Sequence, residues 1–268
     1  MYKRIIFFAC VFSLSFSLSA FAQSDNITQG LNFLNSARNL DGSLGNITST
    51  TDITRTTVAV MATLQALSQT NTTLYTNATS WLQSQSISTT DYLSERMFTL
   101  LSGGSDEGLL VSYIDPASGV WGGYEGYGIN NLDTALALSA LKSVNYSNQN
   151  TVSNAILYLM TNQNTDGGWG FYAGDDSNVY MTAMVSYTLE QFPRTSTLAT
   201  ALNNAMNYLT AHQNSDGGFG SSPSTVYETA LAYIALVGLT TDNTILGNAA
   251  NYLSSTQSAD GSWNEDAV

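Results

Sequence analysis

Four predicted helix starts align on a threonine, and the residue before it differs in each. They read Thr54-Arg55-Thr56, Leu132-Asp133-Thr134, Tyr180-Met181-Thr182 and Tyr227-Glu228-Thr229. Residues that serve packing stay constant between copies of a repeated unit, whereas residues that meet a ligand differ. Arg55, Asp133, Tyr180, Tyr227 and Glu228 are therefore the ligand-binding candidates. The plainer explanation of the same column is polarity at helix N-termini. A second set is the acidic pair Asp175-Asp176 in a Gly-rich loop. To act as a general acid, one of these carboxyls would need to hold its proton in a dry pocket.

Metal and thiol chemistry have little to work with. The chain contains one histidine and one cysteine. Cys10 lies in the N-terminal apolar stretch, and His212 stands beside Gln213 in a repeated helix. Catalytic zinc takes about three protein ligands, so no zinc site and no cysteine nucleophile is expected. The cofactor expectation is none, with calcium on the Asp-Gly loops as the weak exception.

The elements that position these residues come from a repeat. Three copies share the same offsets: Tyr158-Leu159, Gln163, Asp166-Gly167 and Trp169; Tyr208-Leu209, Gln213, Asp216-Gly217 and Phe219; Tyr252-Leu253, Gln257, Asp260-Gly261 and Trp263. Weaker copies centre on Arg38, Gln85 and Asp115, and the Gln-equivalent positions are spaced by 47, 30, 48, 50 and 44 residues. A period of this size marks stacked supersecondary units. Within each copy, small, aromatic and Leu residues at i, i+3 and i+4, then Gln four residues on, share one helix face. Asp-Gly ends that helix. A second helix follows in each unit, over 53–67, 92–101, 132–141, 179–189 and 226–237. The expectation is all-α, with six repeats and eleven helices, the last repeat incomplete. Gln163, Asp166, Trp169, Gln213, Asp216, Phe219, Gln257, Asp260 and Trp263 are assigned structural roles, because they recur in every good copy.

Composition narrows the function classes. The 268 residues carry a formal charge of −13, and only 10% are charged, against a usual share of about 25%. Nucleic acid held by charge is excluded as a partner. Lys3 and Arg4, the apolar run Ile5–Phe21 and the small-x-small site Ala20-Phe21-Ala22 predict a signal peptide over residues 1–22, leaving a mature domain over 23–268. No later segment is apolar enough to span a membrane. The expected location is secreted, periplasmic or cell-surface.

The pattern small-x-x-aromatic-Leu-x-x-x-Gln-x-x-x-Gly-x-Trp resembles the QW repeat of squalene–hopene cyclases and the related prenyltransferase repeats. The resemblance covers residues 27–268 and is clearest over 150–263. It implies an α/α toroid with inner and outer helix rings, in which the varying column would ring one mouth of a central cavity. Fold does not fix function in this superfamily. The class II cyclase motif Asp-x-Asp-Asp-Thr-Ala finds its nearest match in Asn130-Asn131-Leu132-Asp133-Thr134-Ala135. Leu132 stands where the resemblance puts the catalytic acid, and Asp133 is the surviving aspartate and the candidate catalytic residue. The zinc ligands of protein prenyltransferases and the thioester Cys of thioester domains have no counterpart in the mature chain. The expected function is a non-catalytic exported module that binds a small molecule or a surface protein partner. The alternative is a divergent terpene cyclase acting on an isoprenoid.

Overall fold

Apolar and small residues at helical spacing build eleven α-helices in the computed structural model, which describes residues 20–45 and 50–263. The predicted signal peptide lies outside the described residues up to Ala20, where α1 begins. The helices are α1 (Ala20–Ser36), α2 (Thr50–Ala66), α3 (Thr73–Ser84), α4 (Thr90–Leu100), α5 (Gly104–Ser112), α6 (Asn131–Ser143), α7 (Gln149–Thr161), α8 (Val179–Glu190), α9 (Ser196–Ala211), α10 (Val226–Leu239) and α11 (Asn243–Ser255). Extended pairing among the described residues is confined to isolated antiparallel bridges, such as Gly122 with Ile129 and Trp169 with Asn178.

The chain divides into two compact units. One contains residues 86–213 and 234–242, and the other contains residues 1–85, 214–233 and 243–268. In the first unit, α4 packs on α6 and α6 on α8, while α5, α7 and α9 pack against α4, α6 and α8 respectively. Burial separates these two sets of helices. Helix α7 buries one stripe, Val152, Ala155 and Leu159. Helix α8 buries Val179, Met181, Thr182, Ala183, Val185, Ser186, Thr188 and Leu189, which cover most of its circumference. A single stripe belongs to a helix with one wet face, and all-round burial to a helix enclosed by neighbours. The core of this unit includes Leu138, Leu141, Leu159, Trp169, Val185, Leu189 and Leu202. In the other unit α2 packs on α3, and Leu44, Met61, Leu64, Leu82 and Phe219 are fully buried.

The Asp-Gly turn is the joint between units of the repeat. Asp166 Oδ1 accepts the Gly168 N–H at 2.9 Å and the Ser177 hydroxyl at 2.8 Å. Asp216 does the same with Gly218 and Ser224, at 2.9 and 2.7 Å. Gly167 has φ +90°, and a Cβ there would sit 2.5 Å from the Asn204 carbonyl of α9. Both the left-handed backbone and the close approach demand glycine. Gln163 then spans the joint: its Nε2 donates to Gly167 O at 2.9 Å and to Ala201 O of α9 at 2.8 Å. In the other unit Gln257 Nε2 donates to Gly261 O at 3.0 Å and to Asn26 O of α1 at 3.1 Å. Helix α1 thus receives the α11 turn as α9 receives the α7 turn. The repeat aromatics lie beneath these turns, with Trp169 Nε1 donating to Leu159 O and Trp263 Nε1 to Leu253 O, both at 2.7 Å.

Two registers differ from the sequence expectation. Asp115 does not hold the Gln position of its repeat. Its backbone N–H bonds Val120 O at 2.9 Å, the role Asn164 plays toward Gly168 at the same distance. The turn is one residue longer there, and Ile114 precedes it as Gln163 precedes Asn164. The first repeat also shifts at its second helix. Thr57 Oγ1 accepts the Leu44 N–H at 2.9 Å, as Thr134 accepts Trp121 at 3.3 Å, Thr182 accepts Trp169 at 3.1 Å and Thr229 accepts Phe219 at 2.8 Å. The residue preceding this threonine in the first repeat is Thr56, so Arg55 aligns with Leu132 and not with Asp133.

Candidate functional site

The column containing Asp133 and Glu228 is the third position of a helix. Asn130 caps α6: its Oδ1 accepts the Asp133 N–H at 2.8 Å, and its Nδ2 donates to Asp133 Oδ2 at 2.5 Å. Thr225 caps α10 in the same way, accepting the Glu228 N–H at 3.1 Å and bonding Glu228 Oε2 at 3.1 Å. In each pair the cap side chain bonds both the backbone N–H and the carboxylate of the third residue, and the helix N-terminus favours a negative charge there. Met181 holds the equivalent place under Asn178, whose Oδ1 accepts its N–H at 2.8 Å. Asp133 is 7% exposed and Met181 2%, while Arg55 is exposed. Arg55, Tyr227 and Glu228 belong to the unit of α1, α2 and α11; Asp133 and Tyr180 belong to the other. Tyr180 packs against that unit's core. Burial raises the Glu228 carboxyl above the ordinary value, and the Thr225 hydroxyl partly offsets this.

The loops before α6 and α8 bring a different set of residues to Asp133. Each loop leaves a buried repeat tryptophan, Trp121 or Trp169, and returns to an Asn cap. Asn130 N–H bonds Trp121 O and Asn178 N–H bonds Trp169 O, both at 3.1 Å, which closes each loop at its base. The first loop is pinned by Thr90, whose N–H bonds Gly123 O at 2.8 Å. The second is pinned by Asn131, whose N–H bonds Phe171 O at 2.9 Å and whose Nδ2 bonds Gly170 O at 3.0 Å.

The loop tips carry aromatic rings in the open. Tyr124, Tyr127 and Tyr172 are 50%, 48% and 41% exposed. The rings of Tyr124 and Tyr127 lie 4.8 Å apart and are inclined by 35°. Tyr172 meets Phe171 edge-on at 4.8 Å. Asp175 Oδ2 accepts the Tyr172 N–H at 2.9 Å. Desolvation, the Tyr127 hydroxyl and the carboxylates of Asp175 and Asp133 hold the Tyr172 phenol above its ordinary value. Asp133 and Asp175, far apart in sequence, thus act on one tyrosine.

The tyrosines were not among the sequence candidates. Their signal is present in the stretches Gly122-Gly-Tyr124-Glu-Gly-Tyr127-Gly128 and Gly170-Phe-Tyr172-Ala-Gly174. Aromatics inside glycine-rich loops lack the helical spacing that marks a core residue. Among the described residues, no group of three or more His, Cys, Asp or Glu side chains could hold a metal ion. Nor is any described helix long and apolar enough to cross a membrane. His212 stacks on Tyr208, with ring centres 4.0 Å apart, and its Nδ1 lies 2.7 Å from Tyr208 O. It serves the end of α9.

Comparison with known proteins agrees with this architecture. Residues 3–126 match the prenyltransferase alpha-alpha toroid domain family, and residues 126–233 match the A-macroglobulin TED domain family. No curated protein sequence matches the chain. Among solved structures, a protein from Actinoplanes superposes with TM-score 0.70 at 18% identity, covering 90% of this chain and 83% of that one. The type II terpene cyclase MstE from Scytonema superposes with TM-score 0.68 at 16% identity, covering 92% and 83%. An ent-copalyl diphosphate synthase from Streptomyces platensis gives TM-score 0.61 at 17% identity over 78% of this chain, which spans 45% of that enzyme.

Proposed function

We propose that this α/α toroid of the terpenoid cyclase-like type is an exported module that binds a small molecule without transforming it. The fold and its resemblance to terpene cyclases are the premise, and the acid motif is the point of departure. The observation that carries the reading is the start of α6. Leu132, at the place of the cyclase acid, packs against the core of its unit. Asp133 is bound to the Asn130 amide. An amide donor favours the ionised carboxylate, and class II cyclisation needs a proton delivered to an alkene or epoxide. The signal peptide read from residues 1–22 supports export.

The cyclase reading remains the rival. One observation favours it: the structure of MstE with its R337A substitution, in complex with geranylgeranyl dihydroxybenzoate, superposes with TM-score 0.69 at 17% identity. A single experiment separates the two. The purified chain is incubated with squalene, its epoxide and a geranylgeranyl-bearing aromatic acid, and the extracts are analysed by gas or liquid chromatography with mass detection. Unchanged polyenes are expected. A cyclised isomer that disappears in Asp133→Asn would establish the cyclase and end the binding-module reading.

A further inference from the structure

We propose that Tyr124, Tyr127 and Tyr172, with Asp133 and Asp175 beside them, form a binding site for a quaternary or protonated amine. This rests on the binding-module reading and names the chemical class of its ligand. A cation is attracted to the faces of aromatic rings by their quadrupole, and is held most firmly where several faces meet. Here the rings of Tyr124 and Tyr127 pack with their centres 4.8 Å apart and their planes at 35°, and the loop of the third ring is held by Asp175, whose Oδ2 accepts the Tyr172 N–H at 2.9 Å. The rings are about half exposed, while the tryptophans from which the loops spring are fully buried. Their loops are fixed at the base by the Asn130 and Asn178 bonds and at the flank by Thr90 and Asn131. The rings are therefore held in place before any ligand arrives.

Charge selects the cation. Glu125, Asp175 and Asp176 lie in the same loops, and between residues 115 and 178 the sequence has a single cationic side chain, Lys142. Lys142 stands in the last turn of α6, at the end opposite Asp133, with its Nζ 5.6 Å from the Phe192 ring centre. A Cβ built on Gly123 would lie 3.6 Å from the Tyr127 ring and 3.8 Å from Asp133 Oδ2, which places the ring and the carboxylate beside the same glycine. Anionic ligands are repelled by this arrangement, and a neutral sugar gains nothing from the carboxylates. An amine gains from both the rings and the charges.

The test uses the purified chain and choline as the probe, followed by calorimetry or by chemical-shift changes of the tyrosine rings. The neutral isostere 3,3-dimethylbutan-1-ol and a cello-oligosaccharide are titrated in parallel. Saturable choline binding is expected, with no binding of the isostere in the same range and an affinity that falls with added salt. Tyr127→Ala and Tyr124→Ala should each weaken choline by about tenfold, Asp175→Asn by a few-fold, and Tyr127→Phe much less than Tyr127→Ala. If Tyr127→Ala does not fold, Tyr124→Ala and the salt series make the same comparison. Equal binding of the isostere, binding of the saccharide in place of choline, or no binding at all overturns the amine assignment. The polyene incubation keeps the two failures apart. A cyclised product removes the binding-module reading, whereas unchanged polyenes without choline binding remove only the amine.

Discussion

Thr182 Oγ1 accepts the backbone N–H of Trp169 at 3.1 Å, thirteen residues away along the chain. Thr57, Thr134 and Thr229 make the equivalent bond to Leu44, Trp121 and Phe219. In four repeats a threonine hydroxyl therefore ties the start of the second helix to the apolar residue beneath the preceding turn. Both Thr182 and Trp169 are fully buried, so water cannot replace the bond. Thr182→Val keeps the shape and leaves the N–H without its acceptor. We expect a loss of about 1–3 kcal/mol of unfolding free energy, measured by urea denaturation. A loss below a few tenths would show that the bond is dispensable.

The glycines of the Asp-Gly turns and of the loop tips should separate under alanine substitution. Gly167 and Gly174 both have positive φ, +90° and +84°. A Cβ on Gly167 meets the Asn204 backbone, whereas one on Gly174 meets nothing within 4 Å. Gly174→Ala should cost only the left-handed strain, roughly 1–2 kcal/mol. Gly167→Ala should cost clearly more, because α9 must move as well. Thermal unfolding of the two variants side by side gives the comparison, and equal costs would refute the packing role.

Glu228 should destabilise the fold as it ionises. Its folded carboxyl is raised above the ordinary 4.5 by burial. A raised group favours folding while protonated, so its contribution is full below 4.5 and is lost as pH rises through the folded value. Glu228→Gln keeps the capping geometry without the charge. Its stability relative to the parent should grow as pH rises from 4.5 through the raised folded value and then level off. A difference that stays flat over that interval would show that burial does not act on this carboxyl.

Asp41 has the opposite sign. The Ser43 hydroxyl, 2.6 Å from Asp41 Oδ1, is the largest influence holding this carboxyl below the ordinary 3.8. Its stabilising effect is present above that value and lost as pH falls through the lower folded one. Ser43→Ala should therefore raise the Asp41 titration midpoint toward 3.8, as followed by carboxyl NMR. An unchanged midpoint would assign the shift to another group.

Tyr172 reports on the carboxylates around it. Besides desolvation and Tyr127, Asp175 and Asp133 contribute to its raised titration. Asp175→Asn removes a neighbouring charge and keeps a carbonyl oxygen to accept the Tyr172 N–H. The Tyr172 ring resonance should then titrate at lower pH than in the parent. No movement would place Asp175 too far away to act on the phenol or on a bound cation.

The sequence by itself determined the helices and their order. Tyr-Leu, Gln, Asp-Gly and Trp or Phe recur at fixed offsets because each joint needs the same objects: an aromatic to fill the space under the turn, a glycine that lets the next helix approach, and an amide that bridges to it. Periodicity reports such local requirements directly, which is why eleven helices were legible before any coordinates, while the enclosed set α4, α6 and α8 was implied only by the resemblance to toroid repeats. Two registers were not. The extra residue in the turn after α5 and the position of Thr57 are settled by hydrogen bonds across the turn, and residue identity alone does not reveal them. The tertiary structure also decided which groups each carboxylate meets. Asp133 and Glu228 look alike in an alignment, and each proves to be bonded by the side chain of the residue that caps its helix. Only the folding of two distant glycine-rich loops against α6 brings Tyr127, Tyr172 and Asp175 to Asp133. That meeting depends on where Thr90 and Asn131 hold the loops, and contacts between residues so far apart in the chain leave no periodic trace in it.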